Sequence, residues 1–313
     1  MLRIEHLKKQ YGSFTALEDL NLEIGSGTLH GFVGPNGAGK TTTMRILATL
    51  LSPTSGEAWI DGVSILKNGR EARKLVGYMP DFFGVYDNLK SWEYLDFYAR
   101  CCGIGKAQRA GMIERLLDLV QLQDKKNEYV DALSRGMKQR LCLARSLIHD
   151  PKLLILDEPA SGMDPRARAE MKGILKTLRE MGKTVMISSH ILPELAEMCD
   201  SLTILDHGRL VFSGSVEALA EKMNGNAPLD IRLTEKSTEE DVEKTVVCLR
   251  QIPAVTEIMQ EEPRLLRIRV NGEEETCAAV LRELARQEIP VCDYHRAPIN
   301  LEKVFMEVTQ DDA

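Results

Sequence analysis

The 313-residue sequence lacks any apolar run approaching the roughly 18 residues needed to cross a bilayer, so the chain is not expected to span a membrane by itself. Its first residues, MLRIEHLKKQYG, have no long apolar core and do not read as a secretory signal. The seven cysteines include no C-x-x-C pair. Scattered and odd in number, they read as reduced, cytosolic and mainly structural. There is no internal repeat, no low-complexity segment and no basic stripe. The net charge of -7 is unevenly spread: residues 1–225 carry 29 Lys and Arg against 28 Asp and Glu, whereas residues 226–313 carry 11 against 19. An acidic second part argues against a nucleic-acid grip there. What remains is an ordinary globular composition, 43% hydrophobic and 28% charged, over a length that suits two domains.

The first part alternates strand and helix patterns. Residues 2–8 and 17–24 show the period-two spacing of half-buried strands. Leu29 to Val33 is a short apolar strand that runs into a Gly-rich loop, and residues 41–50 read as the helix beyond it. WIDG at 59–62 reads as another antiparallel strand and turn. A helical insertion follows over 91–123, with Ser91 as N-cap and Ile113, Leu116, Leu117 and Val120 on one face. The runs 153–156, 184–188 and 201–205 are continuously apolar, as in parallel strands buried on both faces, with helices at 166–182 and 191–199 between them. A cluster of Gly, Pro and Asn at 221–230 marks the domain boundary. Beyond it the expected order is strand (229–233), helix (238–251), strand (254–259), strand (264–270), helix (273–287) and strand (289–295). Val242, Val246 and Leu249 line the first helix, and Cys277, Leu281 and Leu284 the second. This is the ferredoxin-like split β-α-β order, closed by a last helix, NLEKVFMEV.

Two motifs carry chemistry. Gly34-Pro-Asn-Gly-Ala-Gly-Lys-Thr41 fits G-x-x-x-x-G-K-[ST] between a strand and a helix. Gly34, Asn36, Gly37 and Gly39 let backbone N–H groups curl around phosphates, and the helix N-terminus adds positive potential. Lys40 is expected on the β- and γ-phosphates of ATP, Thr41 on Mg²⁺ and Thr42 on the α-phosphate. The second motif is LLILDEP (153–159), with two carboxylates at the C-terminal end of a buried strand, where ligands lie in parallel sheets. Asp157 is expected on the Mg²⁺ side, and Glu158 as the general base that polarises the attacking water.

With these two motifs the chain resembles the ATP-binding subunits of ABC transporters. LSRGMKQR (133–140) is similar to the family signature LSGGQ-x-QR, SGMD (161–164) to the D-loop, and ISSH, ending at His190, to the switch histidine. Tyr11 resembles the aromatic that stacks on adenine. The resemblance covers residues 1 to about 215. It implies that two copies close head to tail on two ATP molecules. Ser134 and the Gly136 N–H would reach the γ-phosphate of the other copy, His190 would hold the γ-phosphate and the water, and Asp164 would join the two sites. The remaining histidines, His6, His30, His149, His207 and His295, read as packed or solvated. Three positions depart from the family pattern: Asp81 stands where GY-x-P is usually followed by Gln or Glu, and Arg135 and Met137 replace Gly and Gln. Asp81 is still expected on the metal side. Arg135 is expected either on phosphate or ribose or in solvent, and Met137 to reduce the hydrogen bonding of the signature. Phe82, Phe83, Val85 and Tyr86 stand together on an expected loop, where they read either as a contact for the permease, which this region faces in the family, or as cover for the core of the helical insertion.

The C-terminal part, ending NLEKVFMEVT (300–309), is similar to the tails of daunorubicin-resistance-type export ATPases. The expected fold is thus an α/β P-loop NTPase with a mixed sheet, an antiparallel β subdomain and a helical insertion (about 85–145) over residues 1–225. Residues 226–313 form a small α+β ferredoxin-like accessory domain. The expected function is an ATPase, peripheral on the inner face of the cell membrane, that powers export through a separate permease. It works as a homodimer or with a paralogous ATPase and does not bind nucleic acid. An importer ATPase and a soluble non-transport ATPase of the family are the alternatives.

Overall fold

The computed structural model describes residues 1–81, 84, 88–219, 228–272 and 274–296. The aromatic loop residues Phe82, Phe83, Val85 and Tyr86, most of the 221–230 linker and the NLEKVFMEVT tail lie outside the described residues. The chain divides into two compact units, the first running to Val216 and the second starting at Glu217.

In the first unit the order is β1 (Leu2–Tyr11), β2 (Phe14–Ile24), β3 (Leu29–Val33), α1 (Lys40–Leu47), β4 (Ser55–Ile60), β5 (Val63–Ser64), α2 (Gly69–Leu75), β6 (Val76–Met79), α3 (Ser91–Cys101), α4 (Lys106–Leu119), α5 (Arg135–Ser146), β7 (Leu153–Leu156), α6 (Pro165–Glu180), β8 (Thr184–Ser189), α7 (Leu192–Ala196), β9 (Ser201–Asp206) and β10 (Arg209–Ser215). One sheet reads β2-β1-β4-β5 and is antiparallel; the other reads β10-β9-β3-β8-β7-β6 and is parallel except at β10. The four residues of β7 are fully buried, which explains their uninterrupted apolar run. Each such leucine or isoleucine contributes about 1.5–3 kcal/mol through burial.

Several local expectations shift. The helical insertion expected over 91–123 consists of two helices, α3 and α4, separated by residues 102–105, where Gly103 takes φ +75°. Ser91 is the first helical residue rather than the cap: the Glu93 carboxylate accepts the Lys90 N–H at 2.9 Å. Strands β5, β6 and β10 and helix α2 have no counterpart in the sequence reading.

In the second unit β11 (Leu229–Leu233), α8 (Glu239–Arg250), β12 (Val255–Glu262), β13 (Leu265–Val270), α9 (Glu274–Arg286) and β14 (Val291–Arg296) form an antiparallel sheet of order β12-β13-β11-β14 with a helical layer. The core is Leu229, Ile231, Leu266 and Ile268 from the sheet with Leu249 and Leu284 from the helices. Leu281, expected inside, is exposed, and Val280 takes the buried place on α9. Val280 and Leu284 are one i, i+4 pair, so the buried stripe is rotated by one residue from the expected one.

One polar group lies deep in the first unit. His30 on β3 is buried, with Nδ1 2.7 Å from Ser201 Oγ and Nε2 2.9 Å from Thr203 Oγ1 on β9. Burial pushes its pKa down to about 4. Above about pH 6.5 the ring is neutral whether the chain is folded or not. Between there and about 4 the unfolded chain binds a proton that the folded chain refuses, so stability falls as pH falls, by up to about 3 kcal/mol. Denaturation at pH 7.5 and 4.5 should therefore show a larger acid loss in the native chain than in His30→Gln; equal losses would exclude His30 as the source.

Candidate active site

The functional side chains collect where the parallel strands end. In register, Val33 of β3 faces Ser189 of β8, Ile187 of β8 faces Leu156 of β7, and Leu156 faces Met79 of β6. β3 and β8 end level with one another, and β7 and β6 end level two residues short of them, so the residues that follow each strand share one edge of the sheet.

After β3 the chain wraps from Gly34 to Lys40. Gly37 and Gly39 take φ +88° and +99°, a region closed to most side chains. A Cβ on Gly39 would lie 2.6 Å from the Ala16 carbonyl oxygen and 2.7 Å from Leu17 Cδ2. The loop thus packs on β2 while its outer side stays open. Lys40 is buried, and its ammonium donates to the carbonyls of Gly34 at 2.5 Å and Pro35 at 3.1 Å. Thr43 turns inward and donates to the Gly39 carbonyl, leaving Thr41 and Thr42 on the open side.

A cleft of about 270 Å³ opens over this loop. It is lined by Asn36, Gly37, Gly39, Lys40, Thr41 and Thr42 from the loop and α1, Tyr11 from β1, Asp81 beyond β6, and Asp157 and Glu158 beyond β7. Ten residues singled out from the sequence therefore meet in one place. Phe14 and Ala16 line it too, and the sequence reading does not include them. Phe14 faces Tyr11 across the β1–β2 hairpin, and both rings are exposed. An aromatic two residues past Gly12 was the available signal.

His190 is the third element of the carboxylate group. Its Nδ1 lies 3.1 and 3.2 Å from the two Glu158 carboxylate oxygens. Glu158 also borders a second cavity of about 180 Å³, shared with Ser161, His190 and the apolar Met171, Leu175 and Leu195. Burial raises the Glu158 pKa, opposed by the His190 hydrogen bond and the charges of His190 and Lys40. Burial likewise lowers the Lys40 pKa, opposed by Glu158 and Asp157. The arrangement offers a cation and backbone amides for an anion, oxygen donors for a hard metal, and a carboxylate of increased basicity facing the same space.

Ser134, Gly136 and Asp164 do not line this cleft. Ser134 caps α5, accepting the Met137 N–H at 3.3 Å, and Asp164 caps α6, accepting the Ala167 N–H at 2.9 Å. The signature helix and the D-loop are nevertheless joined. Gln139 donates to the Ser161 carbonyl at 3.2 Å, and the Arg135 guanidinium lies on Gly162, its Cζ 2.6 Å from where a Cβ would stand. Arg140 donates to the Val120 carbonyl at 3.1 Å and pairs with Glu170 on α6. Arg135 is exposed, as one of its two expectations has it, and the backbone turn at Gly162 is a neighbour that neither expectation includes.

Known proteins are similar to this chain. The ABC transporter family profile matches residues 17–161. A daunorubicin resistance ATP-binding protein of Streptomyces coeruleorubidus is 32% identical over 311 residues, covering 99% of this chain and 96% of its own. A Nod factor export ATP-binding protein of Cupriavidus metallidurans is 37% identical over 225 residues, 72% of this chain and 74% of its own. A dimeric ATP-binding cassette solved in a post-hydrolysis state with ADP and phosphate superposes with a TM-score of 0.63 at 25% identity, over 69% of this chain and 99% of that one.

The wrap of the loop yields a prediction. Gly39→Ala combines a left-handed backbone with a clash on β2, and should cost about 2–4 kcal/mol and abolish binding of a fluorescent ATP analogue. Urea denaturation and a binding titration check both; retention of binding would show that the loop tolerates a side chain there.

Proposed function

The chain belongs to the ABC transporter family and hydrolyses ATP, and from that premise we propose that it is the subunit that powers export through a separate membrane permease. The observation that carries this reading is the cleft itself, in which the P-loop, an aromatic ring and the two carboxylates after β7 face one space. Support for export comes from relatives named for Nod factor export and daunorubicin resistance.

In this proposal the loop amides and Lys40 hold the β- and γ-phosphates, Thr42 touches the α-phosphate, and Tyr11 stacks on adenine. The all-oxygen set of Thr41, Asp157 and Asp81 suits Mg²⁺, which favours one or two carboxylates beside substrate phosphates. Mg²⁺ bound there would neutralise charge developing on the transferred phosphoryl group. Glu158 takes a proton from the attacking water while His190 orients both. Ser134, Gly136 and Asp164 serve the site of a second copy or a paralogue. Residues 226–313 form an accessory domain of ferredoxin-like order. Among the described residues no helix is long and apolar enough to cross a membrane; in this proposal the subunit works on the cytoplasmic face, docked on the permease.

Glu158→Gln should keep ATP binding and lower phosphate release by about 100-fold or more. Near-normal turnover would exclude Glu158 as the base. Because the Glu158 carboxyl titrates above its ordinary range, native turnover should fall with acid through a midpoint above about 4.3, read from a pH–rate profile. Tagged Glu158→Gln, captured with ATP from detergent-solubilised membranes, should bring down a multi-span protein in stoichiometric amount. Recovery from the soluble fraction alone would overturn the permease.

A further inference from the structure

Glu158 has an unusual backbone. Its φ is +49°, a left-handed conformation that costs a non-glycine residue of order 1–2 kcal/mol. Something must hold it, and the contacts name the candidate. Asp157 is tied to β6 through its own N–H, which donates to the Met79 carbonyl at 2.8 Å. The next N–H, that of Glu158, donates instead to a side chain, Ser188 Oγ, at 2.9 Å. The same hydroxyl donates to Asp157 Oδ1 at 2.7 Å. Ser188 is fully buried in β8, beside the last residues of β7 on one flank and opposite Phe32 of β3 on the other. Strand alternation sends Ser188 and His190 to the same side, so the tip of β8 touches the Asp157–Glu158 pair at three points: one carboxylate, one amide and, through His190, the second carboxylate.

We propose that Ser188 is a positioning residue for hydrolysis: its hydroxyl, donating to Asp157 and accepting from the Glu158 amide, holds Glu158 in its left-handed conformation and fixes the rotation of the Asp157 carboxylate. This rests on Glu158 being the base. The hydroxyl uses both its donor and an acceptor, so neither alanine nor valine can supply the pair of contacts. Alanine would leave the buried carboxylate one donor short and the amide without its partner. The backbone at Glu158 could then relax toward ordinary φ and swing its side chain away from the reacting water. ATP itself is held by the loop after β3, which Ser188 does not touch through its side chain, so binding should be spared.

The test is steady-state hydrolysis by the whole chain, with ATP binding followed separately. Ser188→Ala should lower kcat about 10–100-fold while KM changes less than about 3-fold. Ser188→Thr should stay within about 3-fold of the native rate, whereas Ser188→Val, equal in shape to threonine but without the hydroxyl, should behave like alanine. This pair also covers the case in which the alanine chain is unstable. In a Glu158→Gln background Ser188→Ala should cost clearly less than in the native chain, because of the two groups it positions only Asp157 remains to be misplaced; a general weakening of the fold would lower both backgrounds alike. A Ser188→Ala rate within about 2-fold of native, an equal loss in both backgrounds, or a valine variant as active as threonine would each overturn the proposal. Undiminished hydrolysis in Glu158→Gln alone would instead refute the choice of base, whatever Ser188 does.

Discussion

The parallel hydrogen bonding of β3, β8, β7 and β6 is the constraint from which the chemistry of the first unit follows. The four parallel strands stop within two residues of one level, so four loops that are far apart in sequence converge on one edge. The phosphate loop, Asp81, the Asp157–Glu158 pair and His190 owe their proximity to that edge rather than to contacts among themselves. The apolar runs inside the strands serve the same end. A strand buried on both faces cannot slip by a residue without carrying polar side chains inward, so burial fixes the level at which each loop emerges.

At that edge opposite charges are kept together under partial desolvation. Burial favours the neutral forms of both Lys40 and Glu158, and their mutual attraction opposes it in each case. A carboxylate that is costly to charge is a better proton acceptor than one free in water, which suits a group facing a water nucleophile. The neighbouring Asp157 lies deeper but is steadied by a hydroxyl and by the ends of two strands. Two adjacent acids thus differ in surroundings, and in the proposed function that difference separates a metal-side oxygen donor from a base.

Much of this was legible in the sequence because it is local. The glycine spacing of residues 34–41 and the acidic pair after LLIL each declare a turn at the end of a buried strand. What escaped depends on partners distant in sequence. VGYM, four residues long with a glycine among them, does not stand out as a strand, yet Gly77 is required where a Cβ would lie 2.3 Å from the Ser146 carbonyl oxygen, a contact set by α5. The break between α3 and α4 takes only four residues, 102–105, and β10 alternates too gently to stand out. Ser188 looks like filler in an apolar strand; only pairing with β7 gives its hydroxyl two partners. On α9 the apolar residues occupy more of the helix than the sheet can cover, so periodicity alone could not choose between Val280 and Leu281.

The guanidinium of Arg135 rests where a side chain on residue 162 would have to be, and Gly162 holds φ +66°. The two positions are therefore not independent letters. A side chain on residue 162 would push the flexible end of Arg135 aside, and the left-handed backbone of that turn favours glycine on its own account. Transplanting the signature of this chain into a relative, or the reverse, exchanges half of a matched set. A swapped segment keeps this pair together only if it runs from Ser134 through Asp164, and it must still meet Met79, Ser188 and His190, which hold Asp157 and Glu158 from outside it.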